Sequence, residues 1–347
     1  MASEAELSKR WILAVADDLT GALETGAKFA GRGMRARVTT ELSVRERPDV
    51  PVLVVDTETR HLSADAAFSV VREVVHAALR FEPWLIYKKT DSTLRGNIAP
   101  ELRALLELIP CRSMVYAPAY PEMGRTVRRG RLFVAGEPVD QTVFADDPVD
   151  PVRESDLGVI LRGLPVQVED GETSDDVLAV AARIIAADPP PLAAGPAALA
   201  GGLAALLGAR HAGQLRSWPR LPRCLVVNGS RHPASAAQVA VARASGCFKC
   251  SWRLFEEDPG GAGLERASRM GELVRRQIEI SPVDVLTVFG GDTALGIHRA
   301  LGGPPFEAWV EIVPGVPLSR CGDLFWITKA GGFGAADILC KILEMVG

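Results

Sequence analysis

The sequence is poor in aromatic residues (6%), and its 347 residues include only six cysteines and five histidines. Six cysteines in a chain of this size do not make a disulfide scaffold. Cys247 and Cys250 form a single CxxC with no second pair at zinc-binding spacing, and the histidines share no ligand spacing. No apolar run approaches the roughly 20 residues needed to cross a bilayer. The N-terminal residues (MASEAELSKRW) are polar and lack the hydrophobic core of a signal peptide. The expectation is a cytoplasmic protein with no membrane partner. Lys and Arg number 39 against 43 Asp and Glu, a formal net charge of −4, which argues against a broad nucleic-acid-binding surface. Familiar nucleotide motifs are missing too. Residues 21–28 (GALETGAK) approach a P-loop, but Ala27 intrudes and no Ser or Thr follows Lys28. Residues 31–36 (GRGMRA) have dinucleotide-fingerprint spacing, but they end a helix and precede a strand, the reverse of the order required. That removes the basis for a nicotinamide-dependent dehydrogenase.

What is present is a repeated pattern of apolar run, Gly- or Asp-rich loop and helical stretch. Residues 11–16 (WILAVA), 51–55 (PVLVV), 84–87 (WLIY) and 113–117 (SMVYA) read as buried strands. Residues 131–150 read as a hairpin turning at Gly136-Glu137, and residues 174–187 as a helix capped by Ser174. Residues 192–206 are an Ala/Gly-rich stretch read as helical. A polar segment at 208–222, with two prolines near its end, marks a boundary between domains 1–218 and 219–347. The strand–loop–helix pattern then restarts at 224–227, 284–289 and 323–328. The fold class expected is α/β, with two domains, each a mostly parallel sheet flanked by helices, and an active site in the inter-domain cleft. In such sheets, ligands bind beyond the carboxyl ends of the strands.

The chemistry-bearing residues occupy those ends. Gly331, Gly332 and Gly334 follow one strand, with Lys329 beside them, and Gly290, Gly291, Asp292 and Thr293 follow another. Glycine admits close backbone approach, and a helix N-terminus offers N–H donors, so two such loops in one domain suit phosphate. A tight strand-to-helix turn alone explains either loop equally well. In the first domain, Asp17 and Asp18 are suited to bind substrate hydroxyls, hold Mg²⁺ or take a proton, although one of them could simply cap the following helix. Arg60, Lys88, Lys89 and Arg95 gather by loop position around Asp56, Asp91 and Ser92, a cationic setting for a carboxylate or phosphate. For any single lysine, a solvated surface charge is the better reading. Arg125, Arg128 and Arg129 either extend that rim or are plain surface.

These loops together resemble the four-carbon acid sugar kinase family. The matching segments are ADDLTGA (16–22), DTETR (56–60), YKKTDSTLRGN (87–97), APAYPEMGRTV (117–127), ADDPVDPVRES (145–155), VNGS (227–230), GGDTA (290–294), PGVPLS (314–319) and TKAGGFG (328–334), in family order over nearly the whole chain. The resemblance implies a sugar-acid-binding first domain and a nucleotide-binding second domain. It also implies transfer of phosphate from ATP, with Mg²⁺, to the terminal hydroxyl of an acid such as threonate, erythronate or 3-oxo-tetronate; the KKTDSTLRGN form is closer to the threonate and erythronate members. On this reading Arg60 with Lys88 or Lys89 pairs with the substrate carboxylate, and Arg95 belongs to the same site. Asp17, Asp18, Asp91 and Ser92 meet its hydroxyls, with Asp17 or Asp18 catalytic. Ser230, Gly290 to Thr293, Gly315, Lys329, Gly331, Gly332 and Gly334 hold the nucleotide, and Asp292 serves the metal. A homodimer is the default assembly. Two departures stand out. The stretch from Ser230 to Gly291 is short for the family, and Gly195-Pro196 stands where a Gly-Ser pair is expected.

Overall fold

The computed structural model describes residues 10–147, 149–208, 219–248, 252–261 and 263–346. The chain divides into two compact units, Met1–Gln214 and Leu215–Gly347. Residues 209–218, in the segment where the sequence places the boundary, lie outside the described residues. Among the described residues no helix is long and apolar enough to cross a membrane.

In the first unit the strands are β1 (Ile12–Ala16), β2 (Ala36–Thr39), β3 (Val52–Asp56), β4 (Leu85–Lys89), β5 (Met114–Tyr116), β6 (Arg125–Arg128), β7 (Arg131–Val134), β8 (Glu137–Pro138), β9 (Val166–Val168) and β10 (Leu192–Gly195). A parallel sheet runs in the order β2-β3-β1-β4-β10-β5-β9. β1, β3, β4 and β10 are buried end to end, as strands covered on both faces must be. Helices Ala64–Leu79 and Ile98–Leu108 pack together, and helix Ala197–Gly208 packs against Leu19–Ala30 and Ser174–Ala186. β6, β7 and β8 form a separate antiparallel sheet whose turn residues Ala135 and Gly136 both have positive φ, as a tight hairpin requires. The chain passes from β1 to β2 and β3 on one side, then crosses to β4 on the other. The carboxyl end of β1 is therefore the switch point where a crevice opens.

Three sequence expectations need correction here. The stretch at 192–206 begins with a strand, β10, before the helix Ala197–Gly208. Its small residues suit a crowded position, since a Cβ on Gly195 would stand 2.6 Å from the Ala117 carbonyl oxygen. The cap of helix Ser174–Ala186 is Thr173, one residue earlier, which forms a reciprocal capping box with Asp176. Lys88 and Lys89 are residues of β4, not of the loop after it.

The second unit contains β11 (Cys224–Asn228), β12 (Trp252–Phe255), β13 (Val285–Phe289), β14 (Phe306–Val313), β15 (Val316–Cys321) and β16 (Leu324–Lys329), in the order β12-β11-β13-β16-β15-β14. β12, β11, β13 and β16 are parallel; β15 is antiparallel to both β16 and β14. The core joins Val226, Phe289, Leu318 and Ile327 to Leu339, Ile342 and Leu343 of the C-terminal helix Ile338–Val346. Cys247 is disulfide-bonded to Cys340, so the CxxC does not act as a pair. Its second cysteine, Cys250, lies outside the described residues. The chain again reverses between β11 and β13, which sets a second switch point at their carboxyl ends.

Candidate functional site

At the carboxyl end of β1, Asp17 and Asp18 diverge in role. Asp18 is the N-cap of helix Leu19–Ala30, its Oδ1 accepting from the Gly21 N–H at 3.0 Å. Asp17 is 2% exposed, and its Oδ1 is buried with no hydrogen-bond partner. Buried polar atoms are nearly always satisfied, so an unpartnered carboxylate oxygen at a switch point marks a place for a ligand donor. Arg60 ties the two together: Nε donates to Asp17 Oδ2 and Nη1 to Asp18 Oδ2, each at 2.8 Å, and Nη2 stands 3.6 Å from Asp91 Oδ2. Burial pushes the Asp17 carboxyl up, but the charges of Arg60, Lys88 and Lys89 outweigh it and hold the group below the ordinary aspartate value. Asp17 is thus an anion at neutral pH.

The loop that carries Arg60 is fixed by its neighbours. Thr57 Oγ1 donates to the Ala16 carbonyl at 2.7 Å and lies 2.9 Å from Thr59 Oγ1, which in turn donates to Glu101. Asn97 Nδ2 donates to the carbonyls of Thr59 and Leu62, both at 2.9 Å. Asp56 behaves differently: burial, then the nearby Glu58 charge, pushes its carboxyl well above the usual range.

The lysines of β4 part company. Lys88 pairs in register with Val15 and Lys89 with Ala16, so their side chains leave on opposite faces of the sheet. Lys88 is fully buried and forms an ion pair with Glu101 at 2.9 Å. It is set behind the crevice, contrary to its expected contact with substrate. Lys89 Nζ lies beside Gly21, where an added Cβ would approach within 2.6 Å, and donates to the Thr90 carbonyl at 2.9 Å. Asp91 is also committed internally. It accepts from Thr93 N at 2.9 Å, from the Thr93 hydroxyl and from Arg95 Nη2 at 2.7 Å, so it clamps arginines where a contact to substrate hydroxyls was expected. Burial pushes its carboxyl up, but Arg95 and Arg60 hold it well below the usual range. Arg95 also reaches Asp147 at 3.5 Å and lies over the Phe144 ring, which it shares with Arg125. Ser92 is 7% exposed beside this cluster. His61 bonds Asp150 at 2.7 Å on the rim.

In the second unit three loops converge on Ser230. A Cβ on Gly229 would lie 1.9 Å from Thr293 Oγ1, one on Gly290 would lie 3.3 Å from Ser230 N, and one on Gly331 would lie 2.2 Å from Ser230 Oγ. Gly229 and Gly331 thus make room for the Thr293 and Ser230 side chains and Gly290 for the Ser230 backbone, and Gly290 and Gly334 also have positive φ (109° and 86°). Gly291, Asp292 and Thr293 are the first turn of helix Gly291–Ala300, which begins earlier than expected and has no side-chain cap. Its leading N–H groups are therefore available to an anion. Asp292 is exposed. Among the described residues no group of three or more His, Cys, Asp or Glu is arranged to hold a metal.

The 331–334 loop differs from expectation in two respects. Its helix starts only at Ile338, so the glycines form a free-standing turn. Lys329 is fully buried, with Nζ donating to the carbonyls of Ala330 (2.8 Å), Gly331 (3.2 Å) and Phe333 (2.9 Å) over the Phe289 ring. It braces the loop from inside, and burial lowers its pKa to about 8. Ser235 and Gln238 donate to the Gly331, Phe333 and Gly334 carbonyls from helix Pro233–Ala244. The carbonyls of Gly331, Phe333 and Gly334 are thus all held by side chains of the second unit. Gly315 occupies the β14–β15 turn, at the same end of the sheet as these loops, with its N–H bonded to Glu311 at 2.8 Å.

Sequence reasoning missed Glu101, Thr59, Asn97, Ser235 and Gln238. Thr59 and Asn97 lie within the matched segments 56–60 and 87–97, and Glu101 left a signal of its own: it sits three residues after Ile98 and four before Leu105, an acid on an apolar helix stripe.

Comparison with known proteins agrees with this geometry. Residues 12–164 match the family described as a sugar-binding N-terminal domain. The chain is 31% identical to a D-threonate kinase of Bordetella bronchiseptica, with 96% of each chain covered. It is 29% identical to a D-threonate kinase of Salmonella typhimurium over 96% of this chain and 98% of that one. That alignment spans 423 residues, more than the 347 of this chain, so the Salmonella protein carries segments that this one lacks. A solved structure from Bordetella bronchiseptica, a DUF1537 domain described as a domain-swapped dimer with bound citrate, superposes with a TM-score of 0.54 at 28% identity over 97% of this chain and 98% of that one. The two α/β units, the charged crevice at β1 and full-length similarity to these kinases together show that the chain belongs to the four-carbon acid sugar kinase family.

Proposed function

We propose that this protein is an ATP-dependent kinase that phosphorylates the terminal hydroxyl of a four-carbon sugar acid, with D-threonate the first candidate and D-erythronate the second. The observation that carries the proposal is the buried, ionised Asp17 with its unpartnered Oδ1, set at the switch point of the family's sugar-binding domain. Asp17 accepts the hydrogen bond of the attacking hydroxyl and orients its oxygen. Arg60 and Lys89 supply the cationic side for the substrate carboxylate, and Ser92 contributes a further hydrogen bond. Lys88 and Asp91 work one layer behind. The ATP phosphates rest on the N–H groups of Gly291 to Thr293 and of the 331–334 loop, with Ser230 between them.

Mg²⁺, when bound, neutralises phosphate charge. A single exposed Asp292 fits an ion that takes its remaining ligands from phosphate and water. Phosphoryl transfer asks chiefly for positioning and electrostatics, which these residues supply. The dimeric Bordetella relative is the precedent for a homodimer here.

The test is ADP release from Mg-ATP with D- and L-threonate, D- and L-erythronate and 3-oxo-tetronate, against an acid-free control. Turnover dependent on one acid is expected. A second reading, binding without phosphorylation, is favoured by the segments this chain lacks relative to the Salmonella protein. Silence across the panel, together with no ATP-induced rise in Tm, would overturn the first reading, and a rise in Tm with one of the acids alone would then support the second.

A further inference from the structure

Burying a charged pair costs about as much in desolvation as the pair returns, and an apolar replacement of similar shape is often no worse. The Lys88–Glu101 pair is therefore an expensive way to fill the space behind β4, and the kinase reading above, on which this inference rests, gives it a task. We propose that Lys88, held by Glu101, is a positioning residue for phosphoryl transfer, its buried ammonium acting through Asp17 to hold the orienting carboxylate ready for the substrate hydroxyl.

The placement follows from the sheet. Lys88 is the register partner of Val15, and Asp17 lies two residues beyond Val15, one past the carboxyl end of β1, so the two groups are close neighbours at that end of the sheet. Lys88 Nζ is fixed from two sides, by Glu101 Oε2 at 2.9 Å and by the Lys89 carbonyl at 2.7 Å. Glu101 is itself fixed by Thr59, whose loop carries Arg60 to Asp17. The charged and titratable groups around Asp17 are Arg60 from the loop after β3, Asp18 and Asp91, which share Arg60 with it, Lys88 and Lys89 from β4, Glu101 from helix Ile98–Leu108 and Tyr116 from β5. Arg60 divides its charge among Asp17, Asp18 and Asp91. Lys88 has one carboxylate partner, Glu101 at 2.9 Å. Its charge reaches Asp17 with little screening, since both groups are shut off from water.

The test is the pH profile of kcat/KM for the sugar acid in the wild-type enzyme, Lys88→Met and Glu101→Gln. Activity falls on the acid side as Asp17 protonates. In Lys88→Met the acid limb should move to higher pH by roughly one unit, the scale for losing one nearby charge in a buried setting. In Glu101→Gln, which removes a negative charge, it should stay or move to lower pH. An unmoved limb in Lys88→Met, or a shift to higher pH in both variants, would mark a merely structural pair and overturn the inference. The Asp17 carboxyl is also titrated directly by carbon-13 NMR in the same proteins, with Asp17→Asn assigning the signal. That measurement needs no turnover. It decides the Lys88 effect even if no acid in the panel is phosphorylated, an outcome that would sink the kinase reading alone.

Discussion

The two candidate binding regions solve opposite problems with opposite materials. The crevice of the first unit is built from side chains: Asp17, Asp18, Asp91 and Glu101 interlock with Arg60, Arg95 and Lys88 through charge-assisted bonds. The crevice of the second unit is built from glycines and small hydroxyl residues: Gly290 and Gly331 crowd Ser230, Gly229 crowds Thr293, and its buried lysine faces inward. A small hydroxylated acid differs from its isomers by the direction of one or two hydroxyls, and only fixed side chains can read that. A polyphosphate is the same in every nucleotide triphosphate, and N–H groups at loops and helix starts suffice for it. Order in the first region comes from paired charge, in the second from the close packing that the absence of Cβ atoms permits.

The sharpest way to break this comparison is Asp17→Asn. It should lower kcat by roughly 10²–10⁴-fold, the range for a lost general base, while leaving the ATP-induced rise in Tm intact. Loss of that rise would mean that the two regions are not separable in function. Next in size is Asp91→Asn, which leaves Arg60 and Arg95 without their shared counter-charge and should cost about 3 kcal/mol of stability in urea unfolding at pH 7. The folded Asp91 carboxyl lies below its unfolded value, so its contribution is present above about pH 4 and is lost as pH falls through the folded value. The deficit of Asp91→Asn against wild type should therefore shrink on acidification, and a deficit constant with pH would count against the clamp. Smallest is Gly229→Ala, whose methyl group would meet Thr293 at 1.9 Å. It should cost about 1–3 kcal/mol through overpacking. It should also weaken the ATP-induced Tm shift while sparing binding of the sugar acid, measured calorimetrically without nucleotide. Equal damage to both ligands would remove the assignment of this crevice to nucleotide.

Much of this was legible in the sequence because strands followed by Asp-rich or Gly-rich loops have only one good arrangement, a parallel sheet with those loops at one end. Asp17, Asp18 and Arg60 were visible by loop position and do meet. Lys88, Lys89 and Lys329 were visible as cations but not as buried ones, since direction depends on register with a strand dozens of residues away. β10 was hidden because its residues, LAAG, carry no β-branched side chain. Its place between β4 and β5 is dictated by closeness of packing, which composition does not report.

The sequence by itself determined the α/β class, the loops at the carboxyl ends of the strands and the family, because periodicity, loop chemistry and motif order are properties of neighbouring residues. Only the tertiary structure decided that Asp18 caps a helix while Asp17 keeps a buried, unpartnered oxygen, that Lys88 is buried against Glu101, and that Lys329 braces its loop from within. Those assignments depend on which distant strand or helix fills the space beside a side chain, and burial and pairing in three dimensions fix a charged group's role.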